Sequence, residues 1–146
     1  MSERGLLIAC GEQAIRSALD NFEREMFGDE DVERILLPGG CWWLAEAAVA
    51  SAGRLKRAVM NRSAAIDGVR ALLAATRGPV ALVGHQDCSW YRSRYLGLSP
   101  GEVVKRIGTD IYSARDEMQR LGSSALLTKG VILVRGDDGW SSRSLF

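Results

Sequence analysis

The sequence predicts an α/β domain built on a mainly parallel sheet that is flanked by helices. Short apolar runs, of the length of buried strands, alternate along the chain with amphipathic stretches of helical period. Three of these runs end close to a cysteine or a histidine, and parallel strands present functional residues at their carboxyl ends. The length of 146 residues fits one domain, so we assign residues 1–146 to a single domain.

The first half of the chain predicts a strand, a helix, a second strand and a second helix. Residues 6–9 are apolar throughout and form the first strand. A stripe of apolar residues at helical spacing then predicts a helix from Glu12 to Gly28, and its members are Ile15, Leu19, Phe22 and Met26. Residues 34–37 form the second strand after an acidic loop, and an Ala- and Leu-rich helix follows over residues 42–52.

The second half repeats the alternation and closes on a hairpin. Its predicted elements are a helix at residues 63–76, a strand at 80–83, a helix at 99–122 and a last strand at 131–134, after which residues 140–146 return as an edge or terminal tail. Ser99 and Glu102 fit a capping box with Pro100 at the first helical position, and Gly122 is a natural helix end. Residues 136–139 have the composition of a hairpin loop.

Composition and charge exclude several classes of function. The net charge of +1 disfavours binding to nucleic acid or to an anionic membrane, since both require a concentrated basic surface. No apolar run approaches the roughly 20 residues that span a bilayer. Three cysteines cannot all pair, which favours a reducing, cytoplasmic setting with thiols that are free or bound to metal.

Potential metal ligands follow three of the predicted strands. Cys10 follows the first strand, Cys41 follows the second, and His85 and Cys88 follow the strand at residues 80–83. His85 is the only histidine in the chain. An imidazole and a thiolate three positions apart, on a bend that leaves a strand, can reach the same ion. The sequence therefore predicts one metal site assembled from several strand ends.

The order of these motifs resembles the β-class carbonic anhydrases. That family carries Cys-x-Asp-x-Arg after its first strand, an Arg-Asn-Ala-Gly-type loop after its second and Gly-His-x-x-Cys after its third. The corresponding stretches here are residues 10–14, 36–40 and 84–88. The resemblance covers nearly the whole chain in element order and implies a β-carbonic-anhydrase-like fold and a homodimer. It also implies that Cys10, His85 and Cys88 are the protein ligands of a zinc ion.

Two positions of the first motif depart from the family pattern. Glu12 stands where the family has an aspartate, and Ala14 stands where it has the arginine that pairs with that aspartate. Glu12 therefore either closes the metal site as a fourth ligand or is held away from it by another guanidinium. The candidates for that guanidinium are Arg16, Arg92 and Arg94.

Whether the zinc keeps an open position decides between a structural and a catalytic role. Four protein ligands make a structural site, whereas catalysis requires a position for a water of pKa about 7. The second motif has lost its polar side chains, but Gly39 and Gly40 remain, and their amides are candidates to polarise a substrate oxygen. The predicted catalytic residues are thus Glu12, Gly39 and Gly40.

Other residues near the predicted site leave two interpretations open. Cys41 is either a core cysteine or a further ligand in a Cys₃His site. Asp87 either caps the backbone of its motif or accepts a hydrogen bond from a metal ligand and so orients that ligand. Trp42 and Trp43 fit a core or a dimer interface better than a substrate platform.

Three functions remain open from the sequence. The first is a zinc lyase or hydrolase acting on a small substrate such as CO₂, COS or CS₂, for which the lining would be Leu36, Leu37, Trp42 and Trp90. The second is a carbonic-anhydrase-like domain with a closed zinc and a sensory or partner-binding role. The third is a thiol redox or metal-trafficking protein, which the absence of a Cys-x-x-Cys motif disfavours.

Overall fold

A five-stranded sheet forms the centre of the protein. The structure, a computed structural model of the chain, describes residues 4–45, 67, 71, 76–120 and 128–146. The strands are β1 (Gly5–Cys10), β2 (Val32–Leu37), β3 (Val80–His85), β4 (Thr128–Gly136) and β5 (Gly139–Ser144). Their order is β2-β1-β3-β4-β5, with β5 antiparallel to β4 and the other neighbouring pairs parallel. The predicted α/β class with a mainly parallel sheet is confirmed.

Helices connect the strands and flank the sheet. The described helices are a 3₁₀ turn at Gln13–Ile15, α1 (Arg16–Phe27), α2 (Ser89–Arg94) and α3 (Pro100–Arg120). Residues 42–45 are also helical and begin the helix that was predicted over residues 42–52. The rest of that helix and nearly all of the one predicted over residues 63–76 lie outside the described residues, although residues 67 and 71 are helical.

The two central strands carry the most buried part of the core. Residues 6–9 of β1 and 80–83 of β3 have no exposed surface, because helices or neighbouring strands cover both faces and both edges. Such strands consist of continuous apolar residues, which is the pattern that predicted them. Helix α3 approaches β3 so closely that a Cβ at Gly84 would lie 2.4 Å from Ile107 Cγ2. The close approach fixes the end of β3, where His85 lies.

Several element boundaries differ from the prediction. The first helix begins as a 3₁₀ turn, and β2 begins at Val32 because its parallel pairing with β1 extends back to Gly5. The prediction assigned Val32 and Glu33 to the preceding acidic loop, because Glu33 continues its run of acidic residues. Arg34, inside the predicted strand, forms ion pairs with Asp20 and Glu23 of α1 at 2.7 Å each. Strand β4 also begins earlier than predicted, and the six-residue helix α2 was not predicted at all.

The predicted capping box at the start of α3 is confirmed. The Ser99 amide donates to Glu102 Oε1 and the Glu102 amide donates to Ser99 Oγ, both at 3.2 Å. The predicted helix end at Gly122 lies outside the described residues. The hairpin at residues 136–139 joins β4 to β5 as predicted. No helix in the described part of the chain is both long and apolar enough to cross a membrane.

Candidate metal centre

The carboxyl ends of β1 and β3 bring the predicted ligands together. Cys10 is the last residue of β1, His85 is the last residue of the adjacent β3, and Cys88 precedes the first turn of α2. Asp87 adopts a positive φ of 59° in the turn between β3 and α2, which redirects the chain so that Cys88 faces Cys10. Glu12 completes the group from the loop after β1.

The four side chains form a compact set of metal donors. The two sulfur atoms of Cys10 and Cys88 lie 3.9 Å apart, and His85 Nε2 lies 3.5 Å from Glu12 Oε2. One donor atom from each residue lies within 4.8 Å of all the others. Three of the four residues are buried and Glu12 is half-buried. This cluster of thiols, imidazole and carboxylate fits a metal ion.

The His85 ring is oriented by its neighbour. Its Nδ1 lies 2.8 Å from the Gln86 carbonyl oxygen, which fixes Nδ1 as the donor and turns Nε2 toward the sulfur atoms and Glu12. Nε2 is buried and has no hydrogen-bond partner among the described residues. A buried ring nitrogen with a free electron pair, facing two thiols, is the arrangement expected of a metal-binding histidine.

The contact between the two thiols of the cluster shifts their pKa values in opposite directions. The hydrogen bond from the Cys88 thiol lowers the pKa of Cys10 to about 4 despite burial, with further help from His85 and from the Glu12 and Gly39 amides. The same contact raises the pKa of Cys88, and burial raises it further. For His85, burial lowers the pKa, but the neighbouring Cys10 thiolate outweighs this and raises it. The contact therefore favours the thiolate form of Cys10 over that of Cys88.

A backbone amide holds the Glu12 carboxylate in position. The Ser89 amide, at the start of α2, donates to Glu12 Oε1 at 2.6 Å. Of the three arginines considered above, none forms an ion pair with Glu12 in the described structure. The Arg94 guanidinium instead lies 4.3 Å from the centre of the Trp90 ring and 4.9 Å from that of Trp42. The hydrogen bond to Ser89 leaves Oε2 directed toward the cluster.

The glycine turn after β2 contacts the cluster through its backbone. Gly39 and Gly40 both have positive φ, at 75° and 55°. The Gly39 amide faces the Cys10 sulfur, and the Gly40 amide donates to the Leu37 carbonyl oxygen at 2.8 Å. Both amides therefore have partners inside the protein, and the role of Gly39 and Gly40 toward a substrate oxygen stays a prediction. Their observed contacts stabilise the thiolate and the turn.

Cys41 lies apart from the donor cluster. It is buried, and it is not one of the four described residues whose donor atoms lie close together. Burial raises the pKa of its thiol to about 12. This environment fits the interpretation of Cys41 as a core cysteine and not the alternative of a further ligand.

A cavity of about 470 Å³ opens beside the donor cluster. Its described lining consists of Cys10, Gly11, Glu12, Leu36, Pro38, Ser89, Trp90 and Ser93. Leu36 and Trp90 were expected there, whereas Leu37 and Trp42 are not in the lining. Trp42 is buried and packs edge-on against Trp90. The sequence analysis missed Ser89 and Ser93, whose spacing of four on a helix after Cys88 places them on one face.

Comparison with known proteins gives limited information about this chain. The sequence matches no protein-family model and no curated protein. Among solved structures, the chain is similar to the crystal structure of the β-carbonic anhydrase CafA of the fungal pathogen Aspergillus fumigatus. The two chains are 16% identical with a TM-score of 0.46, and the match covers 97% of this chain and 74% of that one. The function is therefore inferred below from this chain's own residues.

Proposed function

We propose that this chain is a carbonic-anhydrase-like zinc-binding protein, in which Cys10, Glu12, His85 and Cys88 hold one zinc ion. One observation carries the proposal, the spacing of the donor atoms. With zinc–sulfur bonds of about 2.3 Å and zinc–nitrogen or zinc–oxygen bonds of about 2.0–2.1 Å, a tetrahedral site separates two sulfurs by about 3.8 Å. It separates a nitrogen from an oxygen by about 3.4 Å. The observed 3.9 Å and 3.5 Å match both separations.

The chemistry of the donors supports zinc over other ions. Two thiolates and an imidazole are soft or intermediate ligands, which suit zinc, whereas magnesium and calcium select oxygen ligands. The Ser89 amide fixes one oxygen of Glu12, so the carboxylate is presented through a single oxygen. Metal ligands that are oriented by a hydrogen bond to a second protein group are typical of well-formed metal sites.

We further propose that the site hydrates or hydrolyses a small electrophile of the CO₂, COS or CS₂ type when Glu12 withdraws. Zinc with an open position supplies a water of pKa about 7 and polarises a substrate oxygen. The cavity supports this activity because it reaches Cys10 and Glu12 directly. Glu12 remains tied through Oε1 to the Ser89 amide, so Oε2 can turn toward the cavity and accept a proton there.

A second candidate is a silent domain with a closed zinc and a sensory or partner-binding role. The observation that favours it is the position of Glu12 Oε2, 3.5 Å from His85 Nε2, which already completes a set of four donors. The two candidates share the same ligands and differ only in whether Glu12 leaves.

The test combines metal content with stopped-flow CO₂ hydration on one sample. We expect about one zinc per chain, and its loss in Cys88→Ser, because breaking a four-ligand site removes most of its affinity. Hydration by the wild type supports the catalytic candidate. Hydration that appears only in Glu12→Ala supports the candidate in which Glu12 closes the zinc site. Glu33→Gln is the control, because it also removes one carboxylate charge but at an exposed residue. A wild-type protein that retains no zinc would contradict both.

The assembly and the cellular setting belong to the same proposal. We propose a symmetric homodimer in the cytoplasm, where three unpaired thiols are stable. Light scattering on a sizing column should give about twice the 15.9 kDa chain mass. A monomer at micromolar concentration would contradict the dimer without affecting the metal site.

A further inference from the structure

A second cavity, of about 410 Å³, opens between the start of α3 and the β4–β5 hairpin. Its described lining includes three cationic residues, Lys105, Arg135 and Arg143, and no carboxylate; the two aspartates of the hairpin loop are not part of it. We call it the cationic cavity. It shares no lining residue with the cavity beside the donor cluster. Because the whole chain has a net charge of only +1, this concentration of positive charge is a local feature.

The fold explains why these residues converge. Val104 and Lys105 lie near the start of α3, a helix that packs against β3 and β4. Arg143 lies on the edge strand β5, where it is paired with Ile132 of β4. Because alternate residues of a strand share a face, Arg143 lies on the same face of the sheet as Val134. The helix and the hairpin therefore present cations and valines to one cavity.

Neighbouring carboxylates do not neutralise the three cations. Lys105, Arg135 and Arg143 are exposed, and they form no ion pair within the described part of the chain. Glu102 is close enough to interact electrostatically with Lys105, but its Oε1 accepts a hydrogen bond from the Ser99 amide at 3.2 Å. Positive charges that lie together without counter-charges repel one another, so a bound anion would relieve this repulsion.

Gln86 adds an oriented neutral donor to the cationic cavity. The Arg135 amide donates to Gln86 Oε1 at 2.9 Å, which requires the side-chain oxygen to face that amide. The Gln86 Nε2 group is then left without a hydrogen-bond partner in the described structure. Two N–H donors on a side chain that is already held in place complement the oxygens of an anion.

The cationic cavity has room for more than an inorganic anion. A water molecule occupies about 30 Å³ in the liquid, so a phosphate group fills on the order of 100 Å³. Most of the 410 Å³ would remain for an organic body. Val104 and Val134 are half-buried members of the lining and offer this body an apolar surface.

We propose that the cationic cavity binds a phosphate monoester with a small apolar body. Such a phosphate carries a charge of about −1.5 to −2 near neutral pH, which suits three cations better than the single charge of a carboxylate. Arginine guanidinium groups also match phosphate oxygens through paired hydrogen bonds. This inference goes beyond the proposed zinc function, because none of the lining residues is a proposed zinc ligand.

Three ligands test the chemistry of the cationic cavity. We would titrate the protein with phenyl phosphate and follow the Gln86 side-chain amide and the Arg135 backbone amide by NMR, expecting both signals to shift. Inorganic phosphate should bind about tenfold more weakly, because it buries no apolar surface. Phenol should not bind, because it lacks the charge. Shifts that avoid both amides, equal binding of inorganic phosphate, or binding of phenol as tight as that of the ester would overturn the proposal.

Substitutions of exposed cations locate the phosphate. Arg143→Gln should weaken phenyl phosphate binding about tenfold, because it removes charge-assisted hydrogen bonds, and Lys105→Gln should weaken it in the same direction. Arg24→Gln is the matched control, since it removes the same charge at an exposed residue of α1 outside the cationic cavity. Equal effects of Arg143→Gln and Arg24→Gln would show that only the net charge matters and would overturn the assignment.

Chelation separates this inference from the zinc proposal. Phenyl phosphate should bind the zinc-loaded and the chelated protein equally well. Binding that disappears on chelation would place the probe at the metal centre and overturn the cationic cavity as its site. A protein that binds phenyl phosphate with the expected dependence on Arg143, but retains no zinc, would contradict the zinc proposal and support this one.

Discussion

The three cysteines show how strongly position controls the chemistry of one residue type. The sulfur atoms of Cys10 and Cys88 lie 3.9 Å apart, whereas Cys41 is enclosed in the core. The contact with Cys88 lowers the pKa of Cys10 to about 4, and burial raises that of Cys41 to about 12. The sequence ranked Cys10 and Cys88 as ligands only through a motif, because it contains no measure of these environments.

Thiol labelling should distinguish the cysteines in metal-free protein. Near neutral pH we expect iodoacetamide to modify Cys10 first, because only a thiolate reacts and Cys10 lines the cavity. Cys41 should react at least about tenfold more slowly. Peptide mass spectrometry would give both rates, and added zinc should suppress the labelling of Cys10. Faster modification of Cys41 would contradict the assigned environments.

Gly40 and Gly139 provide a pair for testing the turn after β2. Both have positive φ, at 55° and 104°, so alanine is strained at either position. A Cβ at Gly139 meets no atom within 4 Å, but one at Gly40 would lie 2.9 Å from the Cys10 nitrogen. Urea unfolding should show a further loss of about 1–3 kcal/mol for Gly40→Ala. A similar loss for both substitutions would contradict the close contact.

Elements differ in how well the sequence predicted them. The central strands β1 and β3 were recovered because buried parallel strands are apolar throughout. The start of β2 was missed because Glu33 continues the acidic run of the preceding loop, so Val32 and Glu33 were assigned to that loop. Helix α2 was missed because six residues are too few to show a period. Its first amide nevertheless holds Glu12, and a backbone donor leaves no signal in a sequence.

The capping box of α3 should make a pH-dependent contribution to stability. Hydrogen bonds from Ser99 lower the pKa of Glu102 below its usual value, so the unfolded chain binds this proton more readily than the folded one. The contribution is therefore complete above the ordinary pKa of a glutamate and is lost as the pH falls through the lowered value. Glu102→Gln should lower Tm near neutral pH, and the difference from wild type should shrink toward pH 4.

The control for this prediction is a second exposed glutamate. Glu33→Gln removes a surface charge far from α3, at a residue whose ion pair with Arg4 is exposed and weak. It should not reproduce the pH dependence. A difference for Glu102→Gln that stays constant with pH would show that the carboxylate is not the group responsible.

At the scale of the whole molecule, a bound metal should stabilise the folded chain by linking residues that are distant in sequence. Cys10 and Cys88 are 78 residues apart in sequence and meet across the central strands of the sheet. A ligand that binds only the folded state at about a thousand times its dissociation constant adds about 4 kcal/mol. Chelation should therefore lower the urea midpoint, and zinc should restore it while magnesium should not.

Two cysteine variants separate this effect from ordinary packing. Cys88→Ser should abolish the difference between zinc-loaded and chelated protein. Cys41→Ser should lower the stability of both forms and leave that difference intact, because Cys41 lies outside the donor cluster. Loss of the difference in Cys41→Ser would place Cys41 among the ligands.

The position of the donors on two non-consecutive segments also determines when the site can exist during synthesis. Only Cys10 and Glu12 have been made when the first two strands are complete, and two donors do not form a tetrahedral site. His85 and Cys88 follow some 75 residues later, and they approach only once β3 has paired with β1. Cys10 is therefore synthesised 75 residues before His85, the first of the two donors that approach from β3. Capture of the proposed zinc ion would therefore follow the pairing of β1 with β3 at the centre of the sheet.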